Sequence, residues 1–240
     1  MSPAFIYQYP PLIPGILQRR YKRFLADIEL ASGEIITAHC QNTGPMIGVC
    51  TPGSRVYISE SHNPTRKLAY SWEMIEVDQT WVGINTALPN QVIKLALKQN
   101  LFLELVGHYT QFRSEVPYGK DKKSRIDFLL SNEDTQSKIY LEVKNTTLAE
   151  NQIAMFPDTV TTRGQKHLRE MMALLPSSQA VMLYFINRSD CRGFQSGTRY
   201  DPDYAKLLRS AVDAGVKVLP CRFEVTPQGI RYLGLADFIY

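Results

Sequence analysis

Asp127, Glu142 and Lys144 are the residues of this chain best placed to do chemistry. They stand inside two otherwise apolar runs, SRIDFLL and KIYLEVKN, joined by the polar link SNEDTQS. Runs rich in Ile, Leu, Phe, Tyr and Val read as strands, so Ser124 to Asn145 reads as a hairpin. If the link covers residues 131–138, Leu130 pairs with Ile139 and Asp127 falls directly opposite Glu142. Opposed side chains share a face, with Cβ atoms about 5 Å apart. Lys144 lies two residues from Glu142 and shares that face. Two facing carboxylates repel, and a divalent cation with the lysine beside it is the natural offset. A slip of one residue in the pairing would separate the two acids. A plain ion pair between Lys144 and the acids is the structural alternative, at small or negative net stabilisation.

Carboxylates on adjacent strands bind Mg²⁺ or Mn²⁺ through oxygen. The metal would activate a water and neutralise a phosphate, and the lysine would stabilise the transition state. That chemistry is phosphodiester hydrolysis. A third carboxylate would complete the metal shell. Glu104, near the end of the preceding helix, is one candidate and Glu115, on the first strand, is its rival.

The elements that must position these groups follow from the chain order. Residues 1–15 form an aromatic, proline-rich lead, expected to be extended across a surface. Five strand-like runs follow to about Thr86: ILQRRYKRFLADIEL, EIITAHC, SRVYISES, KLAYSWEMIEV and TWVGINT. Gly, Pro, Ser and Asn separate them, which suggests a small barrel of the OB type. The segment NQVIKLALKQNLFLELVG then shows helical spacing, with Asn90 as its cap and Gly107 as its end. The order from there is helix, three strands, helix, strand, helix, strand, with a long polar stretch between Thr146 and Gly164. This predicts a mixed α/β protein: residues 1–88 an OB-like β-barrel, residues 89–240 an α/β domain with a mixed central sheet.

Arg19, Arg20, Lys22 and Arg23 surround Tyr21 and Phe24 on the first run, with Arg66 and Lys67 before the fourth. Basic residues with aromatic neighbours suit a DNA surface, through phosphate attraction and base stacking. Lys and Arg that only guard a strand edge are the alternative. His39-Cys40-Gln41-Asn42-Thr43-Gly44 is a turn sequence that could offer amides to a phosphate or simply turn the chain.

The 240 residues carry a formal net charge of +4, compatible with a polyanionic partner without demanding one. The first 89 residues balance their charges, so the excess lies in the rest. Cys40, Cys50, Cys191 and Cys221 form no CxxC pair and complete no zinc spacing with the four His, so they read as thiols in a reducing compartment. No signal peptide is visible and no apolar run reaches the ~20 residues that span a bilayer. The expectation is a cytoplasmic protein without membrane contact. Its oligomeric state stays open, a homodimer included.

The spacing D-x14-E-x-K, on a hairpin within α-β-β-β-α-β, resembles the PD-(D/E)xK nuclease superfamily. The resemblance implies metal ligation by Asp127 and Glu142 and a catalytic role for Lys144. It also implies basic or amide groups at the start of the next helix, where Arg163, Gln165, Lys166 and His167 stand. A resemblance over nearly the whole chain is carried by RRYKRFLADIEL, HCQNTGPM, TPGSRV, WEMIEV, SEVPYGKDKKSRIDFLL, YLEVKNTTLAE, FPDTVTTRGQKHLREM and DPDYAKLLRSAVDAGV. These resemble the sugar fermentation stimulation protein (SfsA) family, with Gln41 departing from the Pro usual there. That resemblance implies an OB-like domain, a nuclease-like domain, DNA binding and a regulatory role in sugar (maltose) metabolism.

Overall fold

Alternation of apolar and polar side chains builds the first unit. The computed structural model describes residues 4–119, 123–175 and 177–240. A short strand β1 (Tyr7–Gln8) precedes β2 (Ile13–Tyr21), β3 (Leu25–Leu30), β4 (Ile35–His39), β5 (Arg55–Glu60), β6 (Tyr70–Val77) and β7 (Thr80–Gly83). The strands β2 to β7 lie in the order β4-β3-β2-β5-β6-β7. Parallel pairing of β4 with β6, Ala38 to Tyr70 and His39 to Ser71, closes the sheet into a barrel. Leu17, Ile28, Ala38, Val56, Ile58 and Trp72 fill the interior.

The run ILQRRYKRFLADIEL, expected as one strand, is two. Tyr21 pairs with Leu25, and the chain turns back through residues 22–24. Lys22 and Arg23 both take left-handed backbone (φ 49° and 67°). Neither is a Gly or Asn, so the local sequence carries no turn signal.

The second unit opens with α1 (Leu88–Lys98), then β8 (Gln111–Tyr118), β9 (Ser124–Ser131) and β10 (Lys138–Thr146). Next come β11 (Ala149–Glu150), β12 (Ile153–Phe156), α2 (Thr162–Leu174), β13 (Gln179–Ile186), β14 (Gly193–Ser196) and α3 (Pro202–Ala214). The chain ends with β15 (Lys217–Thr226), β16 (Gly229–Leu235) and β17 (Asp237–Phe238). The main sheet has the order β1-β16-β15-β13-β10-β9-β8. Its centre, β10-β13-β15, is parallel and its flanks are antiparallel, so the sheet is mixed as expected. The lead segment adds β1 to this sheet rather than to the barrel, pairing Tyr7 with Ile230. The polar stretch after Thr146, which showed no regular pattern, supplies β11 and β12, and these join β14 and β17 in a small second sheet of order β11-β12-β14-β17.

One face of the main sheet is packed by α1, with Met74, Tyr57 and Trp81 of the barrel in the same core. The other face carries side chains of α2 and α3, Leu168, Met171, Tyr204 and Leu208 among them. The α1 helix is shorter than expected. It starts at Leu88, with Pro89 in its first turn, where a missing N–H costs nothing. It stops at Lys98, and Asn100 turns left-handed (φ 53°), so residues 101–107 form turns rather than a continued helix. Asp201 caps α3 by accepting from Tyr204 N–H, and Gly215 closes it at φ 112°. Among the described residues no helix is long and apolar enough to cross a membrane. All four cysteines are free thiols, and Cys40, Cys191 and Cys221 are buried.

Candidate active site

The hairpin forms in the register that its link length predicts. Lys138 pairs with Ser131, Ile139 with Leu130, Tyr140 with Leu129 and Leu141 with Phe128. The ladder runs to that last pair, and then the Asp127 side chain takes over. Its Oδ2 accepts the Val143 N–H at 2.7 Å. On the other flank, β8 pairs Ser114 with Phe128 and Val116 with Ile126. Glu115, between them, is left-handed at φ 54°. Such a conformation in a strand is strained for a non-glycine residue and collects at functional sites. Asp127 thus occupies an irregular point in the sheet, and its Oδ1 accepts from Asn90 Nδ2 at 2.7 Å. Asn90 reaches it because α1 begins three residues earlier than the sequence suggested, with Ala87 in the cap position. It is not the cap but a first-turn residue aimed at the carboxylate.

Glu142 is 3 % exposed. Its Oε1 accepts from Lys144 Nζ at 2.6 Å and from His167 Nδ1, and its Oε2 is buried with no protein partner. Arg163 Nε donates to His167 Nε2 at 3.5 Å. Lys144 Nζ also lies 3.2 Å from His167 Nδ1, but an ionised Glu142 carboxylate can only accept, so the Nδ1 proton belongs to the Glu142 contact. His167 itself is 3 % exposed. It stands one turn into α2, which Thr161 caps by accepting the Gly164 N–H at 3.1 Å.

The two acids are driven apart electrostatically. Burial, and then the charge of Glu142, push the Asp127 carboxyl up to about 6. Burial would raise Glu142 as well, but the Lys144 charge and the His167 hydrogen bond outweigh it and hold Glu142 below the usual range. Tyr118 is pushed upward by burial and by the neighbouring Glu142, Glu170 and Asp127. One site therefore holds one firmly ionised carboxylate and one whose charge is costly until a cation arrives.

This donor set fits a hard divalent cation. The lone buried Oε2 of Glu142 is a desolvated acceptor, a cost that a ligand would remove. Among the described residues no three His, Cys, Asp or Glu come close enough to cage a metal alone. Mg²⁺ needs no such cage, since it keeps several waters and takes one or two carboxylates.

The remaining expected residues divide. Glu115, Arg163, Lys166 and His167 line one hollow of about 300 Å³ beside the centre. Glu104 is not there. Because α1 ends early, Glu104 lies in a turn on the far side, where its carbonyl accepts from Lys217 Nζ and its charge acts on Cys221 and Tyr232. On the barrel, Arg20 donates to the carbonyls of Arg23, Asn42 and Gly44, and Arg23 to that of Thr43. These two arginines pin the Asn42-Thr43-Gly44 turn, where Gly44 N–H also donates to Asn42 Oδ1. Arg19 pairs with Asp27 at 2.8 Å and covers the Tyr21 ring, and Arg66 donates to Ser71 Oγ. Lys22 and Lys67 are exposed. Asn90 and the internal role of His167 were not read from the sequence. Each contact spans more than twenty residues and leaves no local pattern.

The profile described as "Sugar fermentation stimulation protein RE domain" matches residues 87–229, and that described as "SfsA N-terminal OB domain" matches residues 19–84. The chain belongs to the SfsA family. A sugar fermentation stimulation protein homolog of Crocosphaera subtropica is 72% identical over 99% of both chains. Its counterpart in Synechocystis is 62% identical over 98% of this chain and 99% of the relative. Among solved structures, SfsA of Pyrococcus furiosus in complex with Ca²⁺ superposes with a TM-score of 0.87 at 26% identity. That match covers 99% of this chain and 100% of the other. The OB-like barrel joined to a mixed α/β unit is thus the architecture of this SfsA chain.

Proposed function

We propose that this SfsA protein binds DNA and hydrolyses its phosphodiester bonds at a divalent-metal centre built on Asp127, Glu142 and Lys144. The observation that carries this reading is the buried, unpartnered Oε2 of Glu142 beside the strained-charge carboxylate of Asp127. Support comes also from the Pyrococcus relative, whose complex contains Ca²⁺, a hard cation that takes oxygen ligands as Mg²⁺ does. A bound Mg²⁺ or Mn²⁺ would supply a water of lowered pKa and neutralise charge on the phosphate. The protein's own part is positional. His167 and Lys144 hold one oxygen of Glu142 and keep the group ionised, so that the other oxygen is available. Asn90 and the Val143 N–H fix Asp127. The Lys144 ammonium supplies positive charge against a developing phosphoryl oxyanion.

A second reading is a regulatory DNA-binding protein of sugar (maltose) metabolism without turnover, and the part of it that concerns sugar is in keeping with the relatives' names. Incubation with linear, branched and single-stranded DNA in Mg²⁺ or Mn²⁺ separates the two. Cleavage that Glu142→Ala abolishes while DNA binding persists supports hydrolysis. No cleavage of any of these by the wild type rejects it and leaves the regulatory reading.

A further inference from the structure

Beside the centre, the β8–β9 hairpin and α2 enclose two adjoining hollows of about 300 Å³ and about 610 Å³. They share Lys123 and Lys166, so they form one trough. Among the described residues, five cationic side chains line it: Lys123, Arg125, Arg163, Lys166 and Arg169. Among the described residues two acids line it as well, Glu115 and Glu170, and Glu170 is already engaged by Ser124 Oγ at 2.9 Å and Lys166 at 3.5 Å. His167 lines the inner wall, and its other side holds Glu142. The trough therefore leads to the carboxylates.

Arg163, Lys166 and Arg169 stand at i, i+3 and i+6 of α2, a stripe along one side of the helix. Six residues rise about 9 Å. A DNA strand presents a phosphate about every 3.4 Å of helix axis, so the stripe spans two to three phosphates. The first turn of α2 carries no acid, and Arg163 there opposes the helix dipole. Basic residues at that end are unfavourable unless an anion lies over them.

We propose that this trough, and not the basic strand of the barrel, is the surface that seats the DNA backbone. The proposal rests on the DNA reading above and adds where the strand runs. On the barrel, Arg20 and Arg23 are committed to the turn at residues 42–44, whereas in the trough Arg125 makes one bond, to the Glu115 carbonyl at 3.3 Å, and stays exposed.

The test is a titration of single-stranded and duplex oligonucleotides at several salt concentrations, in chelator so that no cleavage intrudes. Arg125, Lys166 and Arg169 are exposed, and the triple variant R125A/K166A/R169A is compared with K94A/K98A/K206A, which removes the same charge elsewhere. The trough variant is expected to lose about tenfold or more in affinity. Its salt slope for single strands should fall by about 2, three contacts at about 0.7 each. The control variant should stay within about twofold of wild type. Equal losses in the two variants, or wild-type affinity and slope in the trough variant, overturn the assignment. The Glu142→Gln variant keeps the two readings apart: loss of its cleavage with an unaffected trough variant removes the trough alone. Trough-dependent binding without cleavage by any form of the protein removes hydrolysis alone.

Discussion

His167 holds Oε1 of Glu142 through Nδ1 while Oε2 of the same carboxylate stays buried and unpartnered. The imidazole decides which oxygen is left for a ligand. Replacing His167 by Ala frees the Glu142 side chain to turn and leaves its charge less compensated. Stability should fall by about 2 kcal/mol, as for a buried partner of a charge-assisted hydrogen bond that is lost. Metal-dependent cleavage should fall at least tenfold, while DNA affinity in chelator stays near wild type. Partial rescue by His167→Asn, whose amide can donate to Glu142, is the signature of positioning. Loss of DNA affinity in chelator would make His167 a DNA contact instead.

Asn90 does the same for Asp127. Its amide donates to Oδ1 at 2.7 Å across 37 residues of sequence. Outer partners of metal-binding carboxylates are typically worth 10- to 100-fold in metal affinity. Asn90→Ala is therefore expected to weaken Mn²⁺ binding by about tenfold or more in a calorimetric titration, with the melting temperature little changed. Unaltered Mn²⁺ affinity would remove Asn90 from the site.

Asp127 gives the protein a pH dependence of definite sign. Its folded carboxyl titrates at about 6, above its unfolded value, because burial and Glu142 disfavour the charge. The folded state thus binds a proton that the unfolded state has released. The stability due to that proton is full below about pH 4 and is lost as pH rises through 6. Asp127→Asn removes the titration. In metal-free protein, the melting temperature of Asp127→Asn minus that of wild type should rise between pH 4 and pH 7. A difference that is flat with pH would contradict the buried, repelled carboxylate.

The barrel arginines should behave as structural parts. Arg20 donates to three backbone carbonyls, so Arg20→Ala is expected to cost about 2 kcal/mol or more in chemical unfolding. Arg19 is an exposed partner of Asp27 with a side chain 70% accessible, and its removal should change stability little. Neither should flatten the salt dependence of DNA binding. A flattened slope in Arg19→Ala would return the binding surface to the barrel.

The hairpin was legible because side-chain alternation and link length fix a register. Leu130 opposite Ile139 is set by local chain geometry. What lay beyond the sequence was long-range or lacked turn residues. Nothing in Lys22-Arg23-Phe24 marks a reversal, yet Lys22 and Arg23 turn left-handed there, at the exposed tip where β2 folds back onto β3. Glu104 was placed by extending helical periodicity past Asn100, where one left-handed residue ended it. His167 read as a surface base because a solvated helix start and a buried ligand clamp share the same local sequence. Only the seating of α2 on β13 and α3, which carries His167 to Glu142 of β10, distinguishes them. The family resemblance identified the two units but not these contacts.

Asp127 and Glu142 are proposed to hold a divalent metal between them. Crystals grown with Mn²⁺ and measured for its anomalous scattering test it most directly. The expected result is one peak about 2 Å from Oε2 of Glu142 and from a carboxylate oxygen of Asp127. The peak should be absent from Glu142→Gln crystals grown in the same way. Wild-type crystals in Mn²⁺ with no peak between these two carboxylates would rule out a metal held by the pair.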